Sequence, residues 1–182
     1  QDYACGFLSY DGHDGTDIRL PNLAAMKQGY RVLAAASGRV RAIRNDMDDV
    51  SFRETGRDAI SGREAGNSVV IDHGNGWETQ YGHLLKGSVL VKPGQEVKRG
   101  QPFGLVGLSG LTEFPHLHLT VRFKGTKIDP FTGPGEHQQC EVGAKPLWDA
   151  TTLGALSYTA SGLLDAGFAG DVVTFEQVKG GQ

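Results

Sequence analysis

Cysteine is scarce in this chain: two in 182 residues, Cys5 and Cys140, with no C-x-x-C pair. That excludes redox dithiol and zinc-knuckle motifs. Aromatic residues are also few, eight Phe, five Tyr and two Trp, so they alone do not build the core. The hydrophobic fraction of 38% lies below the usual ~45–50%. No apolar run approaches the ~20 residues of a membrane-spanning helix. Charge of one sign is lacking too, since 18 basic and 21 acidic side chains leave a formal net charge of -3. Without a basic footprint, nucleic acid is a poor choice of partner. The N-terminus reads Gln1-Asp2-Tyr3 with neither Met nor a basic-then-apolar leader, as expected where a signal segment was removed or the chain trimmed.

Glycine is abundant instead. At 27 of 182 residues it is about twice the usual ~7%, which favours short strands joined by turns over a helical bundle. The length suits one core, or one core plus an appendage. Tyr30 to Ile43 reads as two strands around Ser37-Gly38. Ser68 to His73 and Trp77 to His83 flank Gly74-Asn75-Gly76, a strong hairpin signal. Ser88 to Val91 and Glu96 to Lys98 are predicted strands on either side of a Lys92-Pro93-Gly94 turn. Gln101 to Gly107 and His116 to Phe123 complete a mostly β, antiparallel domain over residues 1–132.

Two segments depart from this pattern. Residues 45–66 are polar, mixed in charge and without either period, and read as a surface insertion, with a groove wall as the functional alternative. Asp46, Asp48 and Asp49 there lack the Gly and terminal Glu of a calcium loop. Residues 133–182 read as a C-terminal extension of unknown role, in which Asp171 to Val178 is a predicted strand.

Histidine carries the chemistry. In HLHLTVRF, alternation puts Leu117, Leu119, Val121 and Phe123 on one face and His116, His118, Thr120 and Arg122 on the other. Two imidazoles ~7 Å apart along a strand then point into one space. A metal ligand beside a proton carrier fits that arrangement, and so does a polar outer face. His13 and Asp17 form an H-x-x-x-D pair of good zinc donors, though Asp17 beside Gly also suits a turn cap. His83, in YGHLL, is a further candidate. Two His and one Asp would leave a fourth position open on zinc, as a catalytic site requires, with two further His for protons near neutrality.

GHDGTD, YGHL, VKPGQEVKRGQPFGLVG, PHLHLTVR and KIDPF together resemble the lysostaphin/LytM-type zinc endopeptidases, which cut peptide cross-links in bacterial peptidoglycan. The resemblance runs from about Asp11 to Phe131, with the motifs in the family's order. It implies an antiparallel β-sheet core with a loop-bordered groove, and one Zn2+ per chain held by His13, Asp17 and His118. It implies His83 and His116 as the catalytic pair, and an extracytoplasmic, periplasmic or secreted setting. Peptidoglycan stem or bridge peptides would be the substrate, with a D,D-endopeptidase as first choice and glycine-bridge cleavage second. Tyr10 and Tyr81 are candidates for oxyanion support. Glu113-Phe114 before Pro115 is bulkier than the family's usual small residues and bears on substrate preference.

Two other readings compete. A non-catalytic wall-binding or hydrolase-activating module of the same fold would have lost ligands, and all are present here. A cupin uses H-x-H on a strand but needs a Glu shortly after, where this chain has Arg122, Phe123 and Lys124. A Cys5–Cys140 disulfide would suit an oxidising compartment and add roughly 5 kcal/mol by loop closure; two buried thiols are the alternative.

Overall fold

Short alternating segments separated by glycine turns pair with their neighbours, and here nearly all of them pair antiparallel. The computed structural model describes residues 2–6, 9, 12–135 and 141–157. In chain order these form β1 (Thr16–Arg19), α1 (Leu23–Lys27), β2 (Arg31–Leu33), β3 (Gly38–Arg44) and α2 (Phe52–Thr55). A 3-10 turn (Asp58–Ile60) leads to β4 (Asn67–Gly74), β5 (Trp77–Leu84), β6 (Glu96–Val97) and β7 (Pro102–Leu105). Then follow β8 (His116–Phe123), β9 (Thr126–Ile128) and α3 (Ala150–Leu156). The main sheet has the order β1-β8-β5-β4-β3-β6, with β9 also paired to β8, and β2 and β7 form a second, two-stranded sheet.

The core lies on one face of the main sheet. Val40, Val69, Ile71, Tyr81, Leu84, Leu117, Leu119 and Val121 are buried there with Val32 and Phe103 of the small sheet. Tyr81 and Phe103 meet edge to face, with ring centroids 4.9 Å apart. The opposite face of β8 is polar, as its alternation implies, yet His116 and Thr120 are buried on that side as well. Phe114 and Thr112 of the preceding loop lie against the His116 ring.

Most predicted strands fall within a residue or two of their expected places, and the β4–β5 hairpin turns at Gly74, Asn75 and Gly76. Ser88 to Val91 is not a strand: Leu90 donates a lone backbone bond to Phe103, and no ladder forms. The insertion contains α2 and the 3-10 turn, elements too short to show a period. Asn67, at the start of β4, ties the insertion down. Its side chain accepts from Met47 N–H at 2.8 Å and donates to the carbonyls of Met47 and Leu84.

Within the C-terminal extension, the described part is a loop and α3. Gly143 and Leu147 donate backbone bonds to Phe131 and Pro130, and Arg99 pairs with Asp149 at 2.5 Å. Tyr3 stacks on Phe131 with centroids 4.1 Å apart, and Trp148 meets the same ring edge-on. The strand predicted at Asp171 to Val178 lies outside the described residues, as does Cys140. No described cysteine is free. No described helix is long and apolar enough to cross a membrane.

Asn67→Ala should strand buried polar groups of Met47 and Leu84 and cost at least about 1–3 kcal/mol. Leu90→Ala, at a side chain 75% exposed, should stay within about 0.5 kcal/mol of the unmodified protein. Denaturant midpoints of the two variants test the contrast.

Candidate metal and catalytic site

The site begins as a cross-strand pair. β1 runs antiparallel to β8 with Asp17 directly opposite His118, the separation at which side chains on one face touch. His118 Nδ1 lies 2.8 Å from Asp17 Oδ1. His13, just before β1, places Nε2 at 3.1 Å from Asp17 Oδ2. His116, two residues before His118 on the same face, has Nε2 at 3.5 Å from Asp17 Oδ1. One carboxylate therefore sits among three imidazoles.

His83 reaches the site through a bulge. Strict alternation along β5 would send His83 to the core with Thr79 and Tyr81. Between β4 and β5 the register runs Asn67 opposite Leu84 but Val69 opposite Tyr81, so β5 carries one extra residue. His83 takes up that residue with a left-handed φ of 57°. A bulge of this kind re-aims a side chain. Tyr81 and Leu84 both stay in the core while His83 turns to His116, with ring centroids 4.6 Å apart.

Both rings are held by backbone carbonyls. His83 Nδ1–H donates to the Ser109 carbonyl at 2.8 Å, and His116 Nδ1–H donates to that of Phe114 at 2.9 Å. In each ring Nε2 is left to face the site. Ser109 is itself anchored, since its hydroxyl donates to Leu84 O and accepts from Asn67 N–H. Gly66 allows this approach: a Cβ there would fall 2.2 Å from Ser109 O, and its φ of +61° suits glycine.

The electrostatics follow from crowding. Burial alone would raise the Asp17 pKa, but hydrogen bonds from His116, His118 and His13 overcome it and hold the carboxyl far below its usual range. The bond to Asp17 raises His13. Burial, reinforced by the neighbouring His116, lowers His83 to about 3. Burial opposes the lowering of Asp14, and the ion pair with Lys127 prevails.

Two overlapping groups could hold a metal, His13–Asp17–His118 and His83–His116–His118, each with donor atoms within 4.8 Å of one another. Donors about 2.0–2.1 Å from a tetrahedral zinc lie about 3.3 Å apart. The 3.1 and 2.8 Å edges around Asp17 are of that scale, and the His2Asp set suits zinc. The second group is all nitrogen, and it holds the two rings whose Nδ1 protons are tied to carbonyls.

An open cleft of about 650 Å³ runs past these residues. Gln80 and Arg122 extend its floor, while Phe52, Arg57 and Glu64 of the insertion form one wall. That insertion is thus more than a solvated loop. Glu113 pairs with Arg53 at 2.7 Å, and Phe52 N–H donates to Thr112 O, joining the wall to the loop before β8. Phe114 lies against the His116 ring at 4.7 Å and is capped by the Arg19 guanidinium.

The five predicted side chains therefore come together. Tyr81 does not join them: it is buried, its hydroxyl accepts from Ala35 N–H at 2.8 Å, and its role is packing rather than oxyanion support. Tyr10 lies outside the described residues. Sequence reasoning missed Asp14, Ser109 and Asn67. Asp14 is adjacent to His13, but nothing in the spacing shows that it contacts His118.

A family model described as Peptidase family M23 matches residues 11–130. The chain belongs to peptidase family M23. This M23 chain is 37% identical over 117 residues to peptidoglycan DD-endopeptidase ShyA of Vibrio cholerae serotype O1, covering 64% of this chain and 22% of ShyA. It is 33% identical over 117 residues to the cell division protein DipM of Caulobacter vibrioides, covering 64% of this chain and 15% of DipM. Among solved structures, the catalytic domain of a mutant of the prophage-encoded M23 protein EnpA from Enterococcus faecalis aligns with a TM-score of 0.51 and 26% identity. That alignment covers 71% of this chain and 84% of the EnpA chain. The chain thus spans only a small part of these curated relatives.

A lowered His83 pKa has a defined sign. Protonation between 6.5 and 3 favours the unfolded chain, so the contribution is full above 6.5 and is lost as pH falls towards 3. The melting midpoint of metal-free protein should fall over that window, and less steeply in His83→Gln. Calorimetry of both chains across the window checks it.

Proposed function

We propose that this chain is a zinc-dependent endopeptidase that hydrolyses peptide cross-links of bacterial peptidoglycan. The observation that carries the reading is the convergence of His13, Asp17 and His118 beside His83 and His116 in an open cleft. His13 through Nε2, His118 through Nδ1 and the Asp17 carboxylate would hold one ion per chain. When bound, zinc would supply a Lewis acid for the scissile carbonyl and lower the pKa of adjacent water.

The remaining work falls to the chain's own side chains. His83 and His116 each present an Nε2 whose partner nitrogen is tied to a carbonyl, so either ring can take a proton without reorienting. One accepts the proton of the attacking water as the C–O bond forms. The pair then stabilises the tetrahedral intermediate and protonates the leaving amine as the C–N bond breaks. Asp17, ionised throughout, keeps His13 and His118 facing one point.

An open cleft accommodates a peptide tethered in a mesh better than an enclosed pocket would. ShyA carries the name of a DD-endopeptidase, which supports the D,D-bond as first choice, with glycine bridges second. Such a substrate puts the protein outside the cytoplasm, where a Cys5–Cys140 bridge would persist. We read residues 1–132 as the peptidase domain and residues 133–182 as an extension; the contacts of Gly143, Leu147 and Asp149 with the domain support a stabilising role.

Incubation with purified sacculi, with and without chelator, should release uncross-linked muropeptides only when zinc is present, and mass analysis identifies the bond cut. Asp17→Ala should lose zinc and activity together, whereas His83→Ala should keep zinc and lose at least about 100-fold in turnover. Wild-type turnover by Asp17→Ala would refute the assignment.

A further inference from the structure

Asp14 stands outside the reading above. It follows His13 directly, yet its carboxylate turns to another ring. Oδ1 lies 3.1 Å from His118 Nε2, the nitrogen opposite the one that faces Asp17. Oδ2 pairs with Lys127 on β9. β9 is itself hydrogen-bonded to the far half of β8, with Lys127 opposite Arg122. The chain β9–Lys127–Asp14–His118 therefore braces one imidazole from behind.

The brace requires close approach. Gly15 packs so tightly on this ring that a Cβ there would fall 2.6 Å from His118 Nε2 and 2.7 Å from Leu119 O. His118 is thus clamped between the backbone at Gly15 and two carboxylates. Each ring nitrogen faces a carboxylate oxygen. With a cation held at Nδ1, the ring would keep its one proton on Nε2 and donate it to Asp14 Oδ1. A carboxylate behind a ligating imidazole fixes ring orientation and raises its basicity, and loss of such a partner commonly weakens metal affinity 10–100-fold.

We propose that Asp14 is a positioning residue that orients His118 for zinc through Nε2, with Lys127 holding Asp14 in place. The proposal rests on the metal reading above and adds a residue to it. Its readout is metal affinity. Zinc dissociation constants, measured by competition with a chelating indicator, should weaken about 10–100-fold in Asp14→Ala. Asp14→Asn, which keeps an acceptor oxygen without the charge, should weaken binding less. Lys127→Met should have a smaller effect in the same direction. At saturating zinc, turnover of Asp14→Ala should return towards that of the unmodified protein, and its metal-free melting midpoint should be unchanged.

Zinc affinity in Asp14→Ala within twofold of the unmodified protein would overturn the proposal. So would a turnover defect that excess zinc does not relieve, since that marks a structural or directly catalytic role. Should Asp14→Ala not fold, Asp14→Asn carries the same comparison, and unchanged zinc affinity there overturns the proposal equally. Failure of the metal reading is distinguishable: the unmodified chain would bind no zinc, or Asp17→Ala would bind it undiminished.

Discussion

A single half-buried carboxylate organises this molecule's polar side. An ionised Asp17 in a partly buried position needs polar partners, and three imidazoles lie within 3.5 Å of it, those of His13, His116 and His118. Their placement is a matter of strand register. β1 contributes only four residues, and a one-residue slip against β8 would turn Asp17 into the core and Ile18 into the cleft. Ile18 packing against the core cluster opposes that slip. Apolar burial on one face therefore sets the geometry of the charged groups on the other.

A second constraint acts through β5. The bulge at Gly82–His83 leaves a non-glycine residue in the left-handed region, a conformation that costs energy unless its surroundings hold it. Tyr81 and Leu84 are both buried, so the backbone on either side of the bulge is anchored in the core. The His83–Ser109 bond and the Asn67 network secure the ring and the loop behind it. That Asn67 also pins Met47 makes one buried amide common to the insertion and to the site. The cleft wall and His83 share a support.

The sequence made some of this legible and not the rest, for physical reasons. Alternation in HLHLTVRF placed His116 and His118 on one face because both faces of β8 are fixed by period two. The Asp17–His118 contact joins residues 101 positions apart, and no local pattern reports a register between such distant strands. The resemblance supplied that pairing as an expectation. His83 shows the converse, since simple alternation would have pointed it into the core and only the bulge reverses that. Tyr81, one face away from the cleft, illustrates how proximity in sequence to a site residue misleads when the sheet separates them. α1 and α2 span five and four residues, too short for a hydrophobic period to register.

The burial that makes His83 a weak base at rest also constrains its proposed role. With a pKa lowered to about 3, the ring is neutral near pH 7 and has little affinity for a proton while its surroundings stay unchanged. Proton uptake becomes favourable only as negative charge develops beside it, because Coulombic attraction is strong where water is excluded. The tetrahedral stage of amide hydrolysis is where such charge appears. His116 sits in different surroundings, with its Nε2 3.5 Å from the Asp17 carboxylate. Both rings keep their Nδ1 atoms fixed to backbone carbonyls.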